Sequence, residues 1–85
     1  MTPTVLLEGA LRVMIHTRDN DRHHLPHVHV QTGGGEAVIF LGNAASLPSA
    51  GESRGLKSAE ERAALRLVID NQTALLAEWR RFHGG

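Results

Sequence analysis

Histidine offers the most chemistry in this sequence, because five of its six histidines fall within residues 16–29. A neutral imidazole can ligate zinc, copper, iron or nickel, and it can also act as a general base or a nucleophile. The chain contains no cysteine, which excludes thiolate ligands, thiol nucleophiles and disulfides. The five clustered histidines are His16, His23, His24, His27 and His29.

Alternating apolar residues predict two strands that carry three of these histidines on one face. Every second side chain is apolar in residues 11–16, and His16 falls on the opposite side of that strand. His27 and His29 alternate with apolar residues in the same way within 26–31. A register that keeps the apolar faces together also brings the histidines together, since a slip of one residue would turn every side chain over. The predicted pairs are Val13–Val30, Ile15–Val28, Met14–His29 and His16–His27.

A glycine run predicts a hairpin into the next strand. Gly33, Gly34 and Gly35 follow the histidine strand, and glycine adopts positive φ without a steric penalty. With all three glycines in the connection, the predicted pairs are Val30–Val38 and Val28–Phe40, with Ile39 beside His29 and Leu41 beside His27.

The second half of the chain predicts a linker and one helix. Residues 42–57 are rich in Gly, Ser, Ala and Pro and are predicted to form a loop. Ser58 and Glu61 match the S-x-x-E capping box, and apolar residues recur at helical spacing as far as Phe82, which predicts a helix of about 25 residues over 58–83. Strands are predicted within residues 4–41. The prediction is therefore a single α+β domain over residues 1–85, an antiparallel sheet of about four strands packed against one long C-terminal helix.

The predicted architecture leaves one face of the sheet without a cover. A single helix shields only one face, so the face that carries the histidines is expected to expose Met14, Ile39 and Leu41. A half-apolar exposed face of this kind is typical of a binding surface.

Three roles for the histidines remain open at this point. His16, His27 and His29 are candidate ligands for zinc, nickel or copper, with His23, His24 or water as a fourth ligand. His27 or His29 is a candidate catalytic base for phosphoryl transfer, as in a nuclease. The third role is structural, with the rings hydrogen-bonded to loop backbone at the margin of an interface.

Charge and hydropathy narrow the partners and the location. Nine basic side chains balance nine acidic ones, so the phosphate neutralisation on which nucleic-acid binding depends has little support. The longest apolar runs are about four residues, too short for a signal-peptide core or a membrane span, and a cytoplasmic location without membrane contact is expected.

Several short motifs together resemble a known family. Pro26-His27-Val28-His29-Val30 is the most distinctive, and Pro3-Thr4-Val5-Leu6, Gly55-Leu56-Lys57, Leu76-x-x-Trp79 and His83-Gly84 accompany it. In combination they resemble the small bacterial DUF4160 family, a domain of unknown function. The resemblance implies a stand-alone bacterial protein, often encoded beside a second small protein in a toxin–antitoxin-like pair. Of the histidines, only His27 and His29 map onto the family signature.

These observations lead to one functional prediction and two alternatives. The chain is expected to be a protein-interaction module, a component of a two-gene toxin–antitoxin-like system that forms a homodimer, binds a small protein encoded nearby, or does both. The alternatives are a metal-binding protein and a phosphoryl-transfer enzyme, each dependent on His27 and His29.

Overall fold

The fold was analysed in a computed structural model, which describes residues 4–15 and 25–83. These residues form an α+β structure of five strands and two helices. The strands are β1 (Thr4–Glu8), β2 (Leu11–Met14), β3 (His27–Thr32), β4 (Gly35–Phe40) and β5 (Ser49–Arg54), and the helices are α1 (Ser58–Asp70) and α2 (Gln72–His83).

The strands form one antiparallel sheet in chain order, β1-β2-β3-β4-β5. Between β2 and β3, Val13 lies opposite Val30 and Met14 lies opposite His29, so these predicted pairs are confirmed. The predicted pairing of His16 with His27 falls outside the described residues. The apolar alternation therefore identified the register of the ladder from Arg12–Gln31 to Met14–His29, while Ile15, predicted to pair with Val28, lies beyond the end of β2.

The predicted register across the glycine hairpin is wrong by one residue. Thr32 pairs with Gly35, so the turn contains two residues, Gly33 and Gly34, and Gly35 already belongs to β4. Gly33 has φ 54°, which favours glycine at the first turn position. The observed pairs are Val30–Ala37, His29–Val38, Val28–Ile39 and His27–Phe40.

This shift reverses the faces of β4. Ile39 is 1% exposed and Leu41 is fully buried, and both belong to the main core instead of lying beside the histidines. Val38 and Phe40 take the places opposite His29 and His27. The sheet face predicted to be open is therefore not formed by the residues that the sequence indicated.

The predicted loop over residues 42–57 contains a fifth strand. β5 pairs with β4 over Ser49–Arg54, and every one of its residues is exposed. Its sequence Ser-Ala-Gly-Glu-Ser-Arg carries no buried alternation, which is the reason that periodicity did not predict it.

The predicted single helix is two helices that meet at Asn71. Asn71 has φ −121°, outside the helical range, and its side chain donates a hydrogen bond to the Leu67 carbonyl at 2.8 Å. The predicted Ser58–Glu61 capping box is also displaced by one residue. The Lys57 backbone N–H donates to the Glu60 carboxylate at 2.8 Å, while Glu61 accepts a hydrogen bond from the Ser53 hydroxyl.

The core fills the space between one sheet face and the two helices. Its largest fully buried side chains come from β2, β3, β4, the residues Ile15 and Leu41 that directly follow β2 and β4, and α1, while α2 adds Leu75 and Leu76. Neither described helix is long and apolar enough to cross a membrane. The buried residues of the cluster are Val13, Ile15, Val28, Val30, Ile39, Leu41, Ala64, Leu67, Val68, Leu75 and Leu76.

Candidate functional site

His27 and His29 project from β3 on the face opposite Val28 and Val30, as strand alternation requires. Both are buried: His27 is 1% exposed and His29 is 6% exposed. Met14, beside His29 on β2, is 7% exposed. The predicted exposure of the histidine face is therefore wrong for the described residues.

Each histidine ring is oriented by an oxygen acceptor. The Nδ1 atom of His27 lies 2.9 Å from the Leu25 carbonyl oxygen, and the Nδ1 atom of His29 lies 3.2 Å from a carboxylate oxygen of Glu36. The other carboxylate oxygen of Glu36 accepts a hydrogen bond from the Gln31 amide at 3.2 Å. Because carbonyl and carboxylate oxygens only accept hydrogen bonds, these contacts assign a proton to Nδ1 of each ring.

Aromatic contacts connect the two histidines to helix α2. The rings of His27 and His29 have centroids 5.3 Å apart, and His27 lies 6.3 Å from the ring of Phe40. The indole of Trp79 lies 5.0 Å from His27 and is stacked on His83 at 3.7 Å. Trp79 also packs against the main cluster, so its side chain contacts both the core and His27.

The predicted metal ligands can be followed only in part. His27 and His29 lie side by side on β3, whereas His16, His23 and His24 fall outside the described residues. Within residues 4–15 and 25–83, no group of three His, Cys, Asp or Glu side chains is arranged to hold a metal ion. The burial of both rings also restricts their use as catalytic bases, because a phosphate substrate would have to displace neighbouring side chains to reach them.

A second feature lies at the end of the sheet, where α2 passes the start of β3 and the end of β4. It is a cavity of about 650 Å³ with mostly apolar walls. Four α2 residues at helical spacing form one wall, since positions 76, 79, 80 and 83 share one face of the helix. The cavity, called here the Trp79 pocket, is defined by Leu25, Phe40, Leu47, Leu76, Trp79, Arg80 and His83.

A hydrogen-bonded clamp at the start of α2 shapes this pocket. The Gln72 side-chain amide lies within hydrogen-bonding distance of three carbonyl oxygens, those of Leu41 at 2.7 Å, Ser46 at 2.8 Å and Asn43 at 3.1 Å. Gly42 has φ 70°, and a Cβ there would lie 2.6 Å from the Ser46 carbonyl oxygen. The tight turn after β4 and its bonds to α2 therefore hold the floor of the pocket in place.

Among the described residues, those with polar side chains that line the Trp79 pocket are Asn43, Ser46, Ser49, Arg80 and His83. Arg80 and His83 are the ionisable ones, and none of the described lining residues is a carboxylate. The Nε2 atom of His83 is buried and has no hydrogen-bond partner among the described residues. At the rim, Leu25 is 64% exposed and Leu47 is 71% exposed, which is unusual for large apolar side chains.

Comparison with known proteins identifies the family of this chain. A family model described as Domain of unknown function (DUF4160) matches residues 11–80. The chain belongs to the DUF4160 family. No curated protein and no solved structure matches it.

The DUF4160 match extends from β2 into α2, so it contains both buried histidines, Trp79 and Arg80. Sequence reasoning identified the histidines of this DUF4160 domain but missed the pocket beside them. One signal was present: Leu76, Trp79 and His83 share a helix face with Arg80, and a tryptophan–histidine pair at i, i+4 brings the two rings together. The residues that the loop after β4 contributes to the pocket had no comparable signal, because Leu47 lies in the segment predicted to be a linker.

Proposed function

We propose that this DUF4160 chain is a protein-interaction module that binds a segment of a partner protein in the Trp79 pocket. The observation that carries the proposal is an apolar cavity whose rim bears two exposed leucines, Leu25 and Leu47. Exposed apolar patches around a cavity are typical of binding sites, and interface energy concentrates where an anchor side chain enters such a pocket.

The dimensions of the pocket fit this role. A volume of about 650 Å³ lies within the range of small-ligand and anchor pockets, roughly 300–1,000 Å³. Trp79 and Phe40 supply the aromatic walls, and Leu76 closes the side toward the core. One large apolar side chain of a partner, together with its neighbouring backbone, would fill this space and cover both rim leucines.

The proposed partner is a small protein encoded beside this one in a bacterial genome, and the two are proposed to bind each other in the cytoplasm. The support is the family resemblance of the sequence motifs, which implies a two-gene toxin–antitoxin-like pair. A nuclease role receives less support. His27 and His29 are buried, and a net charge of zero provides no general attraction for RNA.

The test uses the product of the neighbouring gene. We expect it to co-purify with the tagged DUF4160 chain, and we expect the double variant Leu25→Ser, Leu47→Ser to bind at least about tenfold more weakly, because each leucine buried in an interface contributes on the order of 1.5–3 kcal/mol. Both leucines are largely exposed in the free chain, so the variant should keep its fold. Leu7→Ser is the matched control, since Leu7 is also 64% exposed but lies on β1, outside the pocket.

Two outcomes would change the conclusion. Equal binding by the double variant and by the Leu7→Ser control would place the interface on another surface. Sedimentation equilibrium of the chain alone addresses the homodimer: a dimer that the double variant abolishes would identify a second copy as the occupant of the pocket.

A metal-binding role for His27 and His29 is the second candidate. The observation that favours it is the fixed orientation of both rings by acceptors at Nδ1, the arrangement that metal-ligating histidines commonly have. Zinc, nickel and copper are the ions that imidazole nitrogens suit. The additional ligands would come from residues such as His16, His23 or His24, as the sequence predicts.

A further inference from the structure

The charges around the Trp79 pocket define what kind of partner segment it can hold. We infer that the pocket binds a partner segment in which a carboxylate lies next to the apolar anchor side chain. The partner segment is then an apolar-acidic peptide whose carboxylate contacts Arg80 and His83. This inference rests on the proposed function and adds the chemistry of the ligand. It starts from the lining residues of the pocket that the structure describes, among which an arginine and a histidine are accompanied by no acidic side chain.

Arg80 is available for a charged ligand. Its side chain is exposed, and among the described residues it pairs with no carboxylate. Its neighbours on the helices differ in this respect: Arg81 contacts Glu78 at 3.3 Å, and Arg66 contacts Asp70 at 3.1 Å. A guanidinium presents its N–H groups in a planar fork that matches the two oxygens of a carboxylate.

His83 provides a second polar contact in a fixed position. Its ring is stacked on Trp79 at 3.7 Å, and its buried Nε2 atom has no hydrogen-bond partner in the part of the chain that the structure describes. A buried polar atom left unpaired destabilises the free chain, so a ligand oxygen or N–H that bonds to Nε2 removes this cost. Arg80 and His83 are three residues apart on α2, which places both at the same side of the cavity.

A nucleic acid fits this pocket less well than a peptide does. Base recognition on a single strand depends on open aromatic faces, and the indole of Trp79 is already stacked on His83 and lies 5.0 Å from His27. A base would have to displace one of these rings. One arginine among the described lining residues and a net charge of zero also provide little attraction for a phosphate chain.

The test compares two small probes that differ only in charge. N-acetyl-leucine carries the apolar side chain and a carboxylate, and N-acetyl-leucinamide carries the same side chain without the charge. Trp79 is the only tryptophan, so its indole N–H gives a single NMR signal from inside the pocket. We expect both probes to shift this signal and the acid to bind at least about fivefold more tightly, a difference that one charge-assisted contact can produce.

Variants assign the difference to the two residues. Arg80→Gln should reduce the affinity for the acid to that for the amide and leave the amide unchanged. Arg81→Gln is the matched control, because Arg81 is exposed, adjacent in sequence and outside the pocket. His83→Phe should retain the ring stacking on Trp79 and weaken the binding of the acid alone.

Three results would overturn the inference: equal affinities for acid and amide, the same acid preference in Arg80→Gln as in Arg81→Gln, or no shift of the indole signal by either probe at tens of millimolar. Tighter binding of uridine monophosphate than of N-acetyl-leucine would overturn it in favour of a nucleic-acid ligand. None of these results alters the dependence of partner co-purification on Leu25 and Leu47. The failure of that dependence, with the acid preference intact, would instead reject the proposed function.

Discussion

His27 and His29 differ in how their rings are held, and the difference bears on what each can do. His27 donates to the backbone carbonyl of Leu25 and lies between Phe40 and Trp79, which makes it part of the packing under α2. His29 donates to the carboxylate of Glu36, whose side chain is 32% exposed. Of the two rings, His29 is therefore the better placed for contact with a ligand from solvent.

The metal hypothesis makes a prediction that belongs to these two residues. It predicts that chelator-treated protein binds zinc, nickel or copper with micromolar affinity at about pH 7.5, and more weakly at about pH 5.5, because protons compete for imidazole nitrogens. His29→Asn should abolish this binding, since asparagine can still donate to Glu36 but provides no ring nitrogen. Isothermal titration calorimetry measures each affinity.

A control separates ligation from a general effect on the fold. His83→Asn also removes a histidine, but one that lies on α2 outside the predicted ligand set, and it should leave metal affinity unchanged. Binding that is absent at neutral pH, or that persists in both His27→Asn and His29→Asn, would leave the two histidines as structural residues.

The sequence predicted the location of these histidines on one face of β3 but not their surroundings. Alternation within β3 and the pairing of Met14 with His29 are local consequences of apolar patterning. The contact between His27 and Trp79 joins a strand residue to a residue of α2 that is far away in the chain, so no local pattern encodes it.

Among the secondary-structure elements, the β3–β4 hairpin shows how one residue changes the composition of a sheet face. A run of three glycines permits either two or three residues in the connection, and the two choices differ by one step in register. Gly35 belongs to the strand because β4 and the end of β5 approach each other closely at this point. A Cβ on Gly35 would lie 2.6 Å from backbone atoms of Gly55 and 2.7 Å from the carbonyl oxygen of Arg54.

This packing predicts different effects of alanine at two adjacent glycines. Gly35→Ala should lower the free energy of unfolding by about 1–3 kcal/mol, because the new methyl group meets backbone atoms that cannot move independently. Gly34→Ala should change it by less than about 0.5 kcal/mol, since no atom lies within 4 Å of a Cβ at that position. Urea denaturation followed by circular dichroism measures both values.

Equal stabilities of the two variants would contradict the two-residue turn. A three-residue turn would include Gly35 and leave room for its side chain, whereas the observed register places Gly35 opposite Thr32 within the sheet.

The sequence did not predict β5 or the helix break for the same reason that it gave the wrong register for the hairpin. β5 is recognised by its hydrogen bonds to β4 and not by buried side chains, so its polar sequence resembles a loop. Asn71 interrupts the helix by bonding its side chain to the Leu67 carbonyl while Gln72 bonds to the turn after β4. Both depend on partners that are supplied by the tertiary structure, and helical periodicity continues across the break without a signal.

At the scale of the whole molecule, side-chain packing is incomplete at one end of the sheet, where the Trp79 pocket lies. A chain of 85 residues buries only about 60–65% of its unfolded surface, so its stability as an isolated domain is limited. The pocket leaves Leu25 and Leu47 exposed, and within residues 4–15 and 25–83 the Nε2 atom of His83 has no hydrogen-bond partner. A ligand that covers these groups would add to the stability of the folded chain.

Partner binding is therefore expected to raise the melting temperature. A partner present at about one hundred times its Kd stabilises the folded state by about 2.7 kcal/mol, which corresponds to roughly 10–20 °C for a domain of this size. Differential scanning fluorimetry with increasing amounts of the partner measures the shift. The double variant Leu25→Ser, Leu47→Ser should melt at nearly the same temperature as the wild type when alone, because both side chains are exposed. With the partner at the same concentration, the shift of the double variant should be several degrees smaller than that of the wild type, whereas Leu7→Ser should show the full shift.

A double variant that gains as much stability as the wild type would show that the partner does not cover the rim of the Trp79 pocket. The interface would then lie elsewhere on the domain, and the exposed edge strand β5 would be the first surface to examine.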